Sequence, residues 1–501
     1  MLTRLGVAVR PRLPRSAAIS TAAAAEVGGA IDYASYLTRR SRSRRPSAIR
    51  ALQPLVAMPG MISLGGGMPN PSTFPFAKLT AELTDGTSVE LSGASLEAAL
   101  QYSPTQGLPA LVAHLERLQD DEHGRASEDR QLCVTTGSAD ALSKAFDALL
   151  VEGDALLVES PTYSGSLAYL QPLGCRLVGV PCDGAGLQPA ALEAVLAGWD
   201  EASEGARRPR VLYTIPTGLA APSFLGHAAR ARSSRVRAIP QEQPDGGVAR
   251  RGAEARLVRG RAAVRPDHSG GRPVLLARNS GVDGALEAQR WCARRLLVNR
   301  LQFGAARTPS LLSMDVDGRV LRFDSTSKLL ASGARVGWAT GPAALIERLE
   351  LHTQASNLHT CGVAQALVAA LFDVWAERHG GDASAGFASH MDGVADFYKE
   401  RRDVFIDAAE RHLAGLADWS VPTAGMFCWM RLRGVDDSHA LISAKARDAK
   451  VLLVPGQSFM PCGSASPYVR AAYSTASPEQ IDEALRRLAA LLRDAEGARS
   501  D

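Results

Sequence analysis

The sequence predicts an α/β protein: a large domain with a mostly parallel central sheet, followed by a smaller α+β domain. Three observations predict it. Between residues 131 and 341, buried strand patterns alternate with helical ones. Beyond about 345, long helical patterns and a few isolated strands replace that alternation. The chain's 501 residues accommodate two or three domains, and its 46% hydrophobic content suffices for a sizeable core.

The elements follow in order. "MLTRLGVAVRPRLPRSAAISTAAAA" spaces Arg4, Arg10, Arg12 and Arg15 among Ser, Thr and Ala, with no acid before Glu26. Residues 1–31 resemble a mitochondrial or plastid transit peptide; a mitochondrial presequence is read in preference to a disordered basic tail, with a cytoplasmic protein as the alternative. "SLGGGMPNPSTFPF" (63–76) is a Gly/Pro turn segment. "GLPALVAHLERLQ" opens a helix, with Pro109 in its first turn and apolar residues at 111, 112, 115 and 118. "QLCVTTGSADALSKAFDALL" (131–150) reads as strand, tight turn, helix. Strands are expected in 154–165, 210–218, 318–328 and 334–341. Helical patterns over 343–378 and 385–414 precede the strand-like "VLLVPGQSF" and "YVRAAYS". The last helix begins "SPEQIDEALRRLAALL", where Ser477 and Gln480 make a capping box and Pro478 suits the first turn.

Composition excludes several classes. The net charge of +4 carries no nucleic-acid signal for the chain as a whole. The 7 cysteines are scattered and unpaired in sequence, which argues against a disulfide framework or a zinc site. No metal site is expected. No apolar run approaches the roughly 18 residues of a membrane span.

In an α/β sheet, ligands bind at the carboxyl ends of the strands, so the loops there carry the chemistry. "VTTGSAD" leaves free backbone N–H groups at a helix N-terminus, a cradle for phosphate at Gly137, Ser138 and Ala139. "DSTSKLLASGARVGW" sets Lys328 after two serines at a strand end. A lysine there can form a Schiff base with a carbonyl. Ser325, Ser327 and Arg335 can bond a phosphate. Each alone has a plainer reading, such as a solvated loop lysine. Tyr163 follows a strand, where a ring can stack on a flat cofactor or be merely half-buried. Arg470 lies within a strand and needs an anionic partner, a substrate carboxylate or a structural acid.

Cradle, lysine, tyrosine and C-terminal arginine, in this order, resemble a fold-type I pyridoxal 5'-phosphate (PLP) aminotransferase. "ISLGGGMPNPSTFPF", "QYSPTQGLPAL", "PTYSGSLAYLQPLGC", "PSLLSMDVDGRVLRFDSTSK", "VPTAGMFCWMRL" and "YVRAAYSTASPEQID" resemble the kynurenine/α-aminoadipate branch over 32–218 and 301–493. The resemblance implies amino transfer from a large, aromatic or 2-aminoadipate-like amino acid to a 2-oxo acid such as 2-oxoglutarate. It makes Lys328 the lysine that holds PLP and moves the substrate's Cα proton. It makes Gly137, Ser138, Ala139, Ser325, Ser327 and Arg335 phosphate-binding, and Tyr163 the ring-stacking residue. Arg470 grips the α-carboxylate, while Arg50, Gly67, Tyr102 and Tyr163 line the substrate pocket. Tyr102 is expected from the other subunit of a homodimer. The implied layout is an arm (32–65) on the small domain, a large domain (66–345) and a small one (346–501). Thr326, Ala139 and Ala334 depart from the family's usual Phe, Gln and Leu.

One interval does not fit. Residues 219–300 hold 16 Arg, no Lys and 6 acids, without periodicity. The family's Asn-Pro-Thr-Gly turn, its Asp for the pyridinium nitrogen and its following Tyr belong there, and none is present. Codon degeneracy allows a reading one base on. Pro266 to Leu276 can then encode Leu-Ile-Ile-Val-Glu-Asp-Asp-Pro-Tyr-Tyr. Gln243 to Gly246 can encode Asn-Pro-Thr-Gly, Val258-Arg259 Tyr-Glu, and Val264-Arg265 Tyr-Asp. The shifted Asn at 243 and the shifted Asp at 272 stand 29 apart, as in the family's pattern. We read 240–276 as coding sequence translated out of frame, with intron or a similar gene-structure error at 219–239 and 278–300. The alternatives are a catalytically impaired homologue and an Arg-rich nucleic-acid-interacting insertion.

Overall fold

The computed structural model describes residues 31–56, 58–65, 67–124, 130–183, 186–215, 274–278, 301–303, 309–315 and 318–500. Residues 1–30, all but the last position of the transit-peptide reading, and nearly all of 219–300 lie outside them.

Short runs rich in Val and Leu build most of the central sheet. Its strands are β3 (Arg130–Thr135), β4 (Ala155–Ser160), β5 (Arg176–Asp183), β6 (Gly186–Leu187), β7 (Val211–Thr214), β8 (Val274–Arg278), β9 (Val320–Ser325) and β10 (Gly337–Pro342). The order is β3-β10-β9-β8-β7-β4-β5-β6. The centre is parallel from β5 through β4, β7 and β8 to β9, while β10 runs antiparallel between β9 and β3. A separate hairpin, β1 (Lys78–Glu82) and β2 (Ser88–Ser92), precedes it.

The second sheet is antiparallel: β11 (Ala417–Trp419), β12 (Phe427–Leu432), β13 (Val454–Pro455) and β14 (Tyr468–Ala472), in the order β11-β12-β14-β13. The helices that matter below are α1 (Ala48–Val56), α2 (Pro109–His123), α3 (Ser138–Leu149) and α4 (Ser164–Leu170). Then come α5 (Ala343–Ser356), α6 (Gly362–Arg378), α7 (Ala383–Leu413) and α8 (Pro478–Ser500). One apolar cluster runs from Leu111 on α2 through Trp338 on β10 and Phe372 on α6 to Met430 on β12 and Leu488 on α8. That shared core makes Tyr33–Asp501 one compact unit. The expected boundary at 345/346 falls inside α5, so no linker lies there.

Three expectations change. The pattern over 343–378 is two helices, broken at 357–361. "VLLVPGQSF" contains a two-residue strand followed by a 3-10 turn, because Pro455 and Gly456 interrupt it. The start of the arm is bonded to the large domain, and Arg348 also donates to Arg44 O (3.4 Å). Thr38 Oγ1 donates to the Asp147 carbonyl and caps its own short helix, the Thr38 N–H donates to Ala148 O, and Tyr33 donates to Gly318 O.

Candidate active site

The site begins with one rung of the sheet. Gly337 pairs with Thr135 on one side and Ser325 on the other. That register sets the loop after β3, the loop after β9 and the turn before β10 side by side. Both glycines of this junction are needed for close approach. A Cβ at Gly337 would lie 2.6 Å from Asp324 O and 2.9 Å from Gly137 Cα. Gly137 has φ of 81°, a left-handed value, and a Cβ there would meet Arg335 Nη2 at 2.3 Å.

The guanidinium of Arg335 therefore lies against the cradle. Its Nη1 donates to Ser327 Oγ (2.9 Å), and Ser325 Oγ donates to Ser327 Oγ (2.9 Å). Its Nη2 donates to the Thr136 carbonyl (3.3 Å). Arg335 itself adopts φ 52°, an uncommon backbone for a non-glycine residue. Ser138 is buried as the first residue of α3, whereas Ala139 is exposed. Gly137, Ser138, Ser325, Ser327 and Arg335 thus converge on one helix N-terminus. Three hydroxyls, a guanidinium and helix N-terminal N–H groups make a donor set that fits a phosphate dianion. Lys328 follows in the same loop with an exposed side chain.

A second cluster joins the two sheets. The Thr162 N–H donates to the Phe459 carbonyl (2.8 Å), which draws the loop after β4 onto the small sheet. Tyr163, at the N-cap of α4, thereby comes near enough to Arg470 to act on its charge. The Arg470 guanidinium lies 4.3 Å from the Phe427 ring centre and 4.9 Å from that of Phe459. Burial pushes it below the ordinary arginine value, although it stays charged at any working pH. Among the described residues its Nε has no hydrogen-bond partner. Sequence reasoning missed Phe427 and Phe459. The strand register that sets Trp429 opposite Arg470 would have pointed to Phe427.

Arg50 forms a third group. It is buried, its Nη1 donates to Ser103 O (3.1 Å), and burial lowers its pKa. Tyr102 stands beside it, 48% exposed, with its ring edge-on to His359 of the same chain. Gly67 is exposed, and a Cβ there would touch nothing within 4 Å.

The Asn, Asp and Tyr expected for the ring end of a PLP site fall in 219–300, which lies almost entirely outside the described residues. β8 fills the slot between β7 and β9. As written it reads Val274–Arg278 and has no acid. The shifted reading places Leu-Ile-Ile-Val at 266–269, eight residues before it.

Comparison with known proteins decides the family. The model for "Aminotransferase class I and II" matches residues 70–217 and 298–488. The chain belongs to the class I and II aminotransferases. The match stops and resumes at the borders of the anomalous interval. The chain is 36% identical to a mitochondrial kynurenine/alpha-aminoadipate aminotransferase of Rattus norvegicus, over 93% of this chain and 100% of that protein. It is 34% identical to the aminotransferase tdiD of Emericella nidulans, over 90% and 94%. The aminotransferase Aro8 of Candida albicans superposes with a TM-score of 0.72 at 25% identity, covering 93% of this chain and 99% of that one. The α-aminoadipate aminotransferase LysN of Thermus thermophilus, complexed with N-(5'-phosphopyridoxyl)-L-leucine, gives 0.60 at 27%, covering 81% and 86%. No described helix is long and apolar enough to cross a membrane.

Proposed function

We propose that this aminotransferase uses PLP. It moves the amino group of kynurenine, 2-aminoadipate or a similar large L-amino acid to a 2-oxo acid such as 2-oxoglutarate. The observation that carries the reading is the convergence of Gly137, Ser138, Ser325, Ser327 and Arg335 beside the loop bearing Lys328. PLP, when bound, supplies an aldehyde and an electron sink. The cradle holds its phosphate. Arg470, aimed by Phe427 and Phe459, grips the α-carboxylate of the amino acid. The Lys328 Nζ takes the proton from the substrate's Cα and returns one on the other side of the transfer. Tyr163 covers the ring, and Arg50 binds a distal carboxylate. The relatives named for kynurenine and 2-aminoadipate support the donor class, and with the basic N-terminus they support a mitochondrial protein.

The test is a donor panel with 2-oxoglutarate, followed by product chromatography. Transfer from kynurenine or 2-aminoadipate, with 2-aminoadipate lost selectively in Arg50→Ala, is expected. Transfer confined to small donors would overturn the specificity. A second reading has its own observation: β8, Val274–Arg278, carries no acidic residue in its sequence. The chain as written is then an impaired aminotransferase, and the out-of-frame reading of 240–276 explains why.

The working form is a homodimer. Ile62 is 87% exposed and Leu64 98%, and Ile49, Leu55, Met58 and Met61 nearby are also exposed. An apolar surface of this kind on one segment fits a second copy of the chain.

A further inference from the structure

Thr136 stands immediately before the cradle glycine, and a closed ring of hydrogen bonds holds it. Its N–H donates to Asp140 Oδ2 (3.1 Å), and its Oγ1 accepts from Asn357 Nδ2 (3.1 Å). Lys144 completes the ring: its Nζ donates to Asp140 Oδ2 (2.9 Å) and to Asn357 Oδ1 (2.8 Å). Lys144 is only 3% exposed. The Thr136 carbonyl is the group that accepts from Arg335. Every polar atom of Thr136 is therefore committed, and the ring ties α3 to the end of α5.

Two physical consequences follow. Asp140 lies in the first turn of α3, at the helix end that faces the phosphate. A bare carboxylate there repels a dianion, whereas one paired with Lys144, four residues on, does not. A buried ammonium must also keep its partners, so it holds Asn357 and Asp140 in fixed positions around Thr136. The proposed amino transfer gives Lys144 no chemical step.

We infer that Lys144 is a positioning residue for the cofactor's phosphate: it neutralises Asp140 and locks Thr136, so the Gly137–Ser138 cradle keeps its shape and its positive potential. The inference rests on the PLP reading above.

The test uses the full chain, stripped of cofactor, with PLP, pyridoxal and inorganic phosphate as probes in equilibrium dialysis. Lys144→Met raises the Kd for PLP on the order of tenfold, the scale of an uncompensated buried charge. Pyridoxal, which lacks the phosphate, changes by less than about twofold. Adding Asp140→Asn to Lys144→Met restores a large part of the PLP affinity, which a purely structural loss would not allow. If Lys144→Met does not fold, Asn357→Ala carries the test, because it frees Thr136 and keeps both charges. It should weaken PLP and phosphate together and spare pyridoxal. Unchanged PLP affinity in these variants overturns the inference, as does equal loss for pyridoxal or no rescue by Asp140→Asn. Failure of both the parent and the frame-corrected chain to bind PLP or phosphate overturns the PLP reading itself, and the inference with it.

Discussion

Glu159 shows how one side chain at a strand end can be read for a test. It is the next-to-last residue of β4, is 5% exposed, and accepts hydrogen bonds from Thr214 Oγ1 and from the Ile215 N–H. Burial pushes its carboxyl up to about 8, against the pull of both bonds. The folded chain thus keeps this proton between its ordinary value of 4.5 and about 8, while the unfolded chain releases it. Stability drains away as pH rises through that window and is level above it. Glu159→Gln removes the penalty. Its Tm should match the parent near pH 4.5 and exceed it by roughly 2–4 °C at pH 8. Thermal melts at both pH values check this, and parallel pH dependence in the two proteins would refute it. The same scale shows which site residues the sequence reveals. Ser325, Ser327, Lys328 and Arg335 stand within one short stretch, so local order exposes them. Lys144 and Asn357 meet across 213 positions, and Phe459 reaches Arg470 only through the fold, so nothing local announces either pair.

At the scale of elements, legibility follows whether the stop signal is written in the side chains. The capping box of α8 is present as read: Gln480 N–H donates to Ser477 Oγ (3.2 Å), and Ser477 N–H donates to Gln480 Oε1 (2.8 Å). Ser477→Ala should cost about 1 kcal/mol, seen as an earlier urea midpoint with an unchanged slope. An unchanged midpoint would show that packing of α8 on α7 alone holds the helix. The break between α5 and α6 carries no such signal. Leu358 takes φ 68° and its N–H bonds Thr353 O (2.7 Å), a terminus for which Gly or Asn is usual. Gly362, where α6 starts, is glycine for a tertiary reason: a Cβ would lie 2.3 Å from Ala99 O. Periodicity ran across both, because nothing in 357–361 opposes a helix on its own. The central strands were legible because fully buried runs need no partner to be recognised. The antiparallel setting of β10 was not, since pairing direction depends on a neighbour remote in sequence.

At the scale of the whole molecule, two statements remain to be tested. The exposed apolar arm predicts that Ile62→Asp/Leu64→Asp shifts a dimer toward monomer in light scattering behind size exclusion. A parent chain that is already monomeric would refute it. The second concerns 219–300. The sheet supplies a strand slot between β7 and β9, and the chain fills it with Val274–Arg278. A strand slot alone does not make a PLP site, because a sequence without an acid supplies no carboxylate to keep a pyridinium protonated. The family match resumes at 298 with its later blocks intact, so the fault is confined to one interval. A frame error with flanking intron predicts this pattern: Ser325, Ser327, Lys328 and Arg335 are in place outside the interval, beside the departures at Ala139, Thr326 and Ala334. Transcript sequencing across this interval should therefore show an open second frame with Asn-Pro-Thr-Gly near 243 and Asp-Asp-Pro-Tyr-Tyr near 271. The chain so corrected should bind PLP more tightly than the printed one and transfer amino groups at least about a hundredfold faster, since the electron sink is regained. Stop codons in the second frame, or equal turnover by the two chains, would leave Arg278 as the true end of β8 and return the chain as written to the ranks of working enzymes or impaired ones on its measured rate alone.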